Sequence, residues 1–76
     1  MPHLDLHFNP RELFDEDVTK MADELCKVLK GHLATSDSAI SIAMTRVTAD
    51  DWKERVYDPI ITPQLESLFK KPGYTL

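Results

Sequence analysis

Two short stretches in which apolar and polar residues alternate, MPHLDLHF at the start and AISIAMTRV near the middle, bracket one long stretch in which apolar residues recur every three or four positions. Alternation is the period of a half-buried strand, and recurrence at three and four is that of a helix with one apolar side. Over residues 2–8, Pro2, Leu4, Leu6 and Phe8 share one face and His3, Asp5 and His7 the other. A proline is tolerated at the first position of a strand, so Pro2 does not weaken the pattern. In the second stretch Ile40, Ile42 and Met44 oppose Ser41, Ala43 and Thr45. Between them Val18, Met21, Ala22, Leu25, Val28, Leu29, His32 and Leu33 mark a stripe that predicts a helix over 15–33. Asp15, Glu16 and Asp17 suit its positive end, and Lys27, Lys30 and Gly31 its close. A strand, a long helix and a second strand in that order form a crossover unit, nearly always right-handed, with its strands parallel.

The joins carry turn chemistry. NPRELF, residues 9–14, connects the first strand to the helix through Asn9-Pro10, and ATSDS leads into the second strand. Thr48 with Asp51 three residues on reads as a capping box opening a short helical turn through Trp52. Thr62-Pro63 predicts the start of a C-terminal helix that buries Ile61, Leu65, Leu68 and Phe69 and stops at Lys70, Lys71, Pro72 and Gly73. The expected fold is therefore α/β, or α+β by some schemes: one domain over residues 1–76, a β-α-β unit with a C-terminal helix.

Such a unit is incomplete alone. Two parallel strands covered on one face leave the other face and both edges open, and 76 residues lie near the lower limit for a self-sufficient core. Pairing with a second copy into a four-stranded sheet answers both problems, so a homodimer is expected. Ser41, Ala43 and Thr45 are small enough for the C-terminal helix or a partner to approach that open face closely. A composition 42% apolar and 29% charged is that of a folding chain. The net charge of −4 argues against a grip on nucleic acid or anionic lipid. No apolar run has the length to span a bilayer, and Asp5 breaks any signal-like block. The single cysteine, Cys26, excludes an internal disulfide and fits a reducing compartment, so a cytoplasmic location is expected.

Few residues have the chemistry of a site. His3, Asp5 and His7 share a strand face, but neighbours two apart are about 7 Å from one another and no third ligand is within reach, so no metal is expected. Cys26, among apolar neighbours, reads as a small hydrophobe. Ser36, Asp37 and Ser38 are contiguous turn residues without triad geometry. Pro2 stands apart. If Met1 is removed, Pro2 becomes a secondary amine at the mouth of an apolar strand, where desolvation disfavours the cation and yields a usable general base. A harmless strand-starting proline is the plainer alternative, and the residues alone leave both open.

The segments P-H-L-D-L, P-R-E-L, a helix ending in H-L, D-S-A-I-S-I-A, a tryptophan and K-K-P-G-Y, with their spacing, resemble the 4-oxalocrotonate tautomerase superfamily, in particular its short dimeric bacterial members. The resemblance spans essentially the whole chain. It implies a β-α-β fold assembled by symmetry and keto–enol tautomerisation without a cofactor. It also implies that Pro2 is the base that moves a proton between the enol hydroxyl and carbon. The loop arginine of that family has its counterpart in Arg11, suited to a carboxylate or developing oxyanion. The aromatic wall of the pocket corresponds to Trp52. One position departs from the pattern: Ser41 stands where members acting on larger acids carry a strand arginine. That disfavours a dicarboxylate and favours a monocarboxylic enol or 2-keto acid of phenylpyruvate type, with Ser41 at most a hydrogen-bond donor. Arg46, further along the strand, is expected at its solvent end. The alternative implied by the missing arginine is a small-ligand or protein-binding module on an inactive tautomerase scaffold.

Overall fold

In the computed structural model, which describes residues 1–76, β1 (His3–Phe8) and β2 (Ser41–Arg46) form a parallel pair. The register runs from His3 opposite Ser41 to Phe8 opposite Arg46. The ladder continues one bond beyond each end, since the Ser41 N–H donates to the Pro2 carbonyl at 3.2 Å and the Val47 N–H to the Phe8 carbonyl at 2.9 Å. The exposure of β1 follows the alternation at first, with His3 and Asp5 exposed and Leu4 and Leu6 half-buried. It fades at the far end, where His7 and Phe8 are both half-buried.

The helix α1 spans Asp15–Leu33, the range its stripe predicts, and packs against β2. Val18, Met21, Ala22, Leu25, Cys26 and Leu29 form its half-buried side. Val28 and Leu33, which the stripe assigned to that side, instead project into solvent, because the covered arc of a single helix on two strands is narrow. Asp17 turns back to accept the Phe14 N–H at 3.0 Å, which satisfies a donor at the helix start and sets its charge against the positive end of the dipole. At the other end of β2, Arg46 pairs with Asp15, tying the strand terminus to the first turn of α1. Both side chains are well exposed, so the pair contributes little to stability.

The helix is capped by Ala34, which has φ 51 and ψ 44, a left-handed conformation that glycine normally occupies, while Gly31 stays within the last helical turn. The Cβ of alanine is strained there. Ala34→Gly therefore stabilises the fold by about 1 kcal/mol, read as a raised midpoint in urea at fixed protein concentration.

The C-terminal part differs from a turn followed by a separate helix. The Thr48 Oγ1 accepts the Asp51 N–H at 3.3 Å and opens the short helix α2 (Ala49–Trp52), as the capping pattern predicts. Helical backbone then continues through a wide π-type segment, Lys53–Ile61, into a tight 3₁₀ segment, Thr62–Ser67, which is kinked at Gln64, with φ −121 and ψ 19. Thr62 has φ −56 and ψ −45, inside the helix, so it is not an N-cap. Pro59 gives the reason. It has no N–H to donate and its ring crowds the carbonyl four residues back, and a wider turn relieves both while the backbone keeps going. The Thr62 N–H accordingly donates to the Tyr57 carbonyl, five residues back. Helical dihedrals end at Leu68, with φ −66 and ψ 133, and Phe69 swings fully into solvent instead of joining the buried side with Ile61, Leu65 and Leu68.

Val47, Val56 and Tyr57 are the buried residues, so what core the chain has sits at the carboxyl end of the sheet. The C-terminal helical segments pack chiefly on one another there, and His3, Asp5 and Ser41 on the sheet remain exposed. The radius of gyration is 14.1 Å. A compact chain of this length has about 11 Å.

Candidate active site

Pro2 lies at the tip of β1. Its carbonyl is the first acceptor of the ladder and its ring is half-buried, while Met1 before it is wholly exposed and contributes no packing. Ser41 opens β2 at the same end. Its hydroxyl lies 2.7 Å from the Nδ1 of His3, its register partner across the ladder. A serine that resemblance put forward for substrate is thus already engaged with a neighbouring side chain.

Arg11 and Trp52 stand at the opposite end of the sheet. Arg11 follows β1 in a loop that holds it at φ 49, where the Asn9 Oδ1 accepts the Arg11 N–H at 3.1 Å and the Pro10 carbonyl accepts the Leu13 N–H at 2.8 Å. Asparagine is well suited to such a turn, because its side chain replaces a backbone acceptor. The ion pairs of the structure are Lys30–Asp37, Arg46–Asp15, Lys53–Asp58 and Lys71–Glu66, so the exposed guanidinium of Arg11 is unpaired. Its loop, Asn9 to Leu13, lines an open concavity of about 830 Å³. Trp52 ends α2 half-buried, and its Nε1–H donates to the Tyr74 hydroxyl at 2.9 Å. Strands rise about 3.3 Å per residue, so the ladder between the two ends is about 20 Å long. One chain therefore brings Pro2 together with Ser41, and Arg11 to the same end as Trp52, but it does not bring the two pairs together. No concavity of the single chain is lined by Pro2, Ser41 or Trp52.

No family model matches the chain. Individual relatives do, over the full length. Tautomerase PptA of Pectobacterium carotovorum is 47% identical over 75 residues, 99% of both chains. The proteins of the same name from Klebsiella pneumoniae strain 342 and Cronobacter sakazakii are 46% and 43% identical over 76 residues, all of both chains. The chain belongs to the PptA tautomerase family. Membership puts it among the isomerases and is consistent with the superfamily resemblance.

Two contacts that matter to the geometry of this PptA relative were not announced by pattern. His3 is visible as the partner of Ser41 only once the parallel register is known. Tyr74 belongs to the K-K-P-G-Y segment that carried the family resemblance, but nothing in its spacing announces a bond to Trp52 across 22 residues. Cys26 is the remaining reactive group. Its thiol donates to the Asp37 Oδ1 at 3.3 Å, and this bond, with smaller contributions from desolvation and from the charge of Asp37, pushes its pKa above the ordinary value. Lys30 pulls the other way. A raised pKa means less thiolate at a given pH and slower attack on disulfides. Asp37→Asn keeps the shape and removes the charge, so modification of Cys26 by a neutral aromatic disulfide near pH 8 becomes faster than in wild type.

Proposed function

We propose that the chain, once Met1 is removed, ketonises a small enol or tautomerises the matching 2-keto acid, of phenylpyruvate type, with the Pro2 nitrogen as general base. The position of Pro2 carries this reading: a half-buried residue anchored by its carbonyl at the tip of the first strand, next to a Met1 that is wholly exposed. The free amine takes the proton of the enol hydroxyl, the oxygen electron pair closes the carbonyl, and the electrons of the carbon–carbon double bond take a proton from the ring N–H. Atoms and charge balance without a cofactor. Arg11 pairs with the substrate carboxylate, and its rigid fork also steadies charge gathering on the oxygen. Trp52 supplies an apolar face for the conjugated system and keeps water from the amine. Ser41, with no arginine in its place and its hydroxyl engaged with His3, leaves one carboxylate anchor, in keeping with a monocarboxylic substrate.

The same reading makes the working unit a homodimer with a four-stranded sheet. Only Val47, Val56 and Tyr57 are buried in the single chain, Phe69 is bare, and Phe14 is 71% exposed, so a second copy has apolar surface to cover. A two-fold axis that sets the two sheets edge to edge in opposite directions brings the amino end of one pair of strands to the carboxyl end of the other. Pro2 of one copy then meets Arg11 and Trp52 of the second, which unites the pairs that one chain holds about 20 Å apart. A cytoplasmic location belongs to this reading and accords with the unpaired Cys26. The assay is the ultraviolet decay of phenylenolpyruvate with protein whose first residue is verified as Pro2 by mass. Turnover supports the reading, and none on any of several enols favours a binding module.

A further inference from the structure

We propose that Tyr74 is a positioning residue for the aromatic wall of the site: its hydroxyl oxygen takes the Trp52 indole N–H and fixes the plane against which substrate lies. The proposal rests on the reading of Trp52 as that wall. Tyr74 stands in a terminal stretch that no backbone hydrogen bond holds, since regular structure ends at Ser67 and no main-chain bond involves residues 69–76. Side chains anchor it instead. The Tyr74 ring lies 5.7 Å from that of buried Tyr57, tilted by 39°, a spacing at which aromatic pairs attract. From that anchorage its hydroxyl reaches the indole nitrogen at 2.9 Å. The terminal stretch is therefore strapped across the end of α2 by a chain of three aromatic residues, of which Tyr57 is the fixed point and Trp52 the member that faces the candidate site.

The backbone at Trp52 is helical on both sides, but it leaves the side-chain torsions that set the plane of the indole to be fixed by contacts. Without Tyr74 the ring would exchange one bonded orientation for several solvated ones, and binding would have to order it again. A wall already ordered lowers that cost, so its effect falls on substrate affinity and not on the proton-transfer step.

This chain has one tryptophan, so its nitrogen–proton spectrum has a single indole resonance to follow. Tyr74→Phe keeps the ring against Tyr57 and removes only the acceptor. The expected result is a displaced indole resonance with faster exchange against solvent. For phenylenolpyruvate, KM rises about three- to tenfold, the loss of one neutral hydrogen bond, with kcat unchanged. In a Trp52→Phe background, which has no N–H to hold, Tyr74→Phe produces no further rise. An unmoved indole resonance, or the same KM rise in both backgrounds, overturns the proposal while the wall reading stands. A Trp52→Ala variant with wild-type KM overturns the wall reading, and the proposal with it.

Discussion

Protein that carries any residue before Pro2 ketonises phenylenolpyruvate about 10²- to 10⁴-fold more slowly than protein that begins at Pro2, the usual contribution of a positioned general base. The reason is electronic. A preceding residue turns the ring nitrogen into an amide whose lone pair is delocalised into the carbonyl, so it no longer accepts a proton. A tag fused ahead of Pro2 and removed by a protease that leaves Pro2 first makes the comparison reversible on one preparation. The fold is indifferent to the change, because Met1 is fully exposed and the strand is held from the Pro2 carbonyl onward. Circular dichroism and melting temperature accordingly stay constant while activity returns. Pro2→Ala gives an intermediate loss. It retains an amine but loses the ring that locks φ and aims the nitrogen, so the deficit is one of orientation. The rate also falls as pH drops through the pKa of the amine, since only the uncharged form accepts the proton, and this acid limb disappears in the tagged protein. Equal activity with and without the tag would end the proposal that Pro2 is the base.

What the sequence discloses about this fold follows the strength of its periodicities. The limits of α1 coincide with its stripe because a 3.6-residue repeat sustained over five turns has few alternatives, and the parallel pairing follows from its length. The C-terminal third was harder. Thr62-Pro63 has the form of a helix start, but Pro59 upstream had already been absorbed by a widened turn, so the backbone was helical before Thr62 was reached. Local signals of that kind register a preference at one position and carry no information about helix already under way. Phe69 departs from its predicted burial because the helix stops at Leu68, one residue before the apolar side would have reached it. Around the candidate site, the places of Pro2 at the tip of β1 and of Arg11 in the loop that follows it were legible from the strand pattern. The His3–Ser41 and Trp52–Tyr74 contacts were not, since each depends on how distant segments are placed in space.

Mixing two disabled proteins restores activity if the site is assembled from two copies. Arg11→Ala removes a charge-assisted bond to carboxylate and lowers kcat/KM about 30- to 100-fold. Pro2→Ala disables the other half of the site. Within a mixed dimer, one site combines the intact Pro2 of the Arg11→Ala chain with the intact Arg11 of the Pro2→Ala chain, and the other site carries both defects. Random exchange at equal concentrations makes half of the dimers mixed, each with one sound site out of two, so activity recovers to about a quarter of wild type. Trp52→Ala behaves as Arg11→Ala does in this experiment, because both residues stand at the carboxyl end of the sheet, whereas a mixture of Arg11→Ala with Trp52→Ala recovers nothing more than the sum of its parts only if both faults fall on the same half. In such a mixture every site receives one chain or the other at that end, and each is defective. The contrast separates a shared site from a trivial effect of concentration. If the candidate residues instead worked within one chain, across the length of its own ladder, no pairing of these variants would recover activity above the sum of the parents.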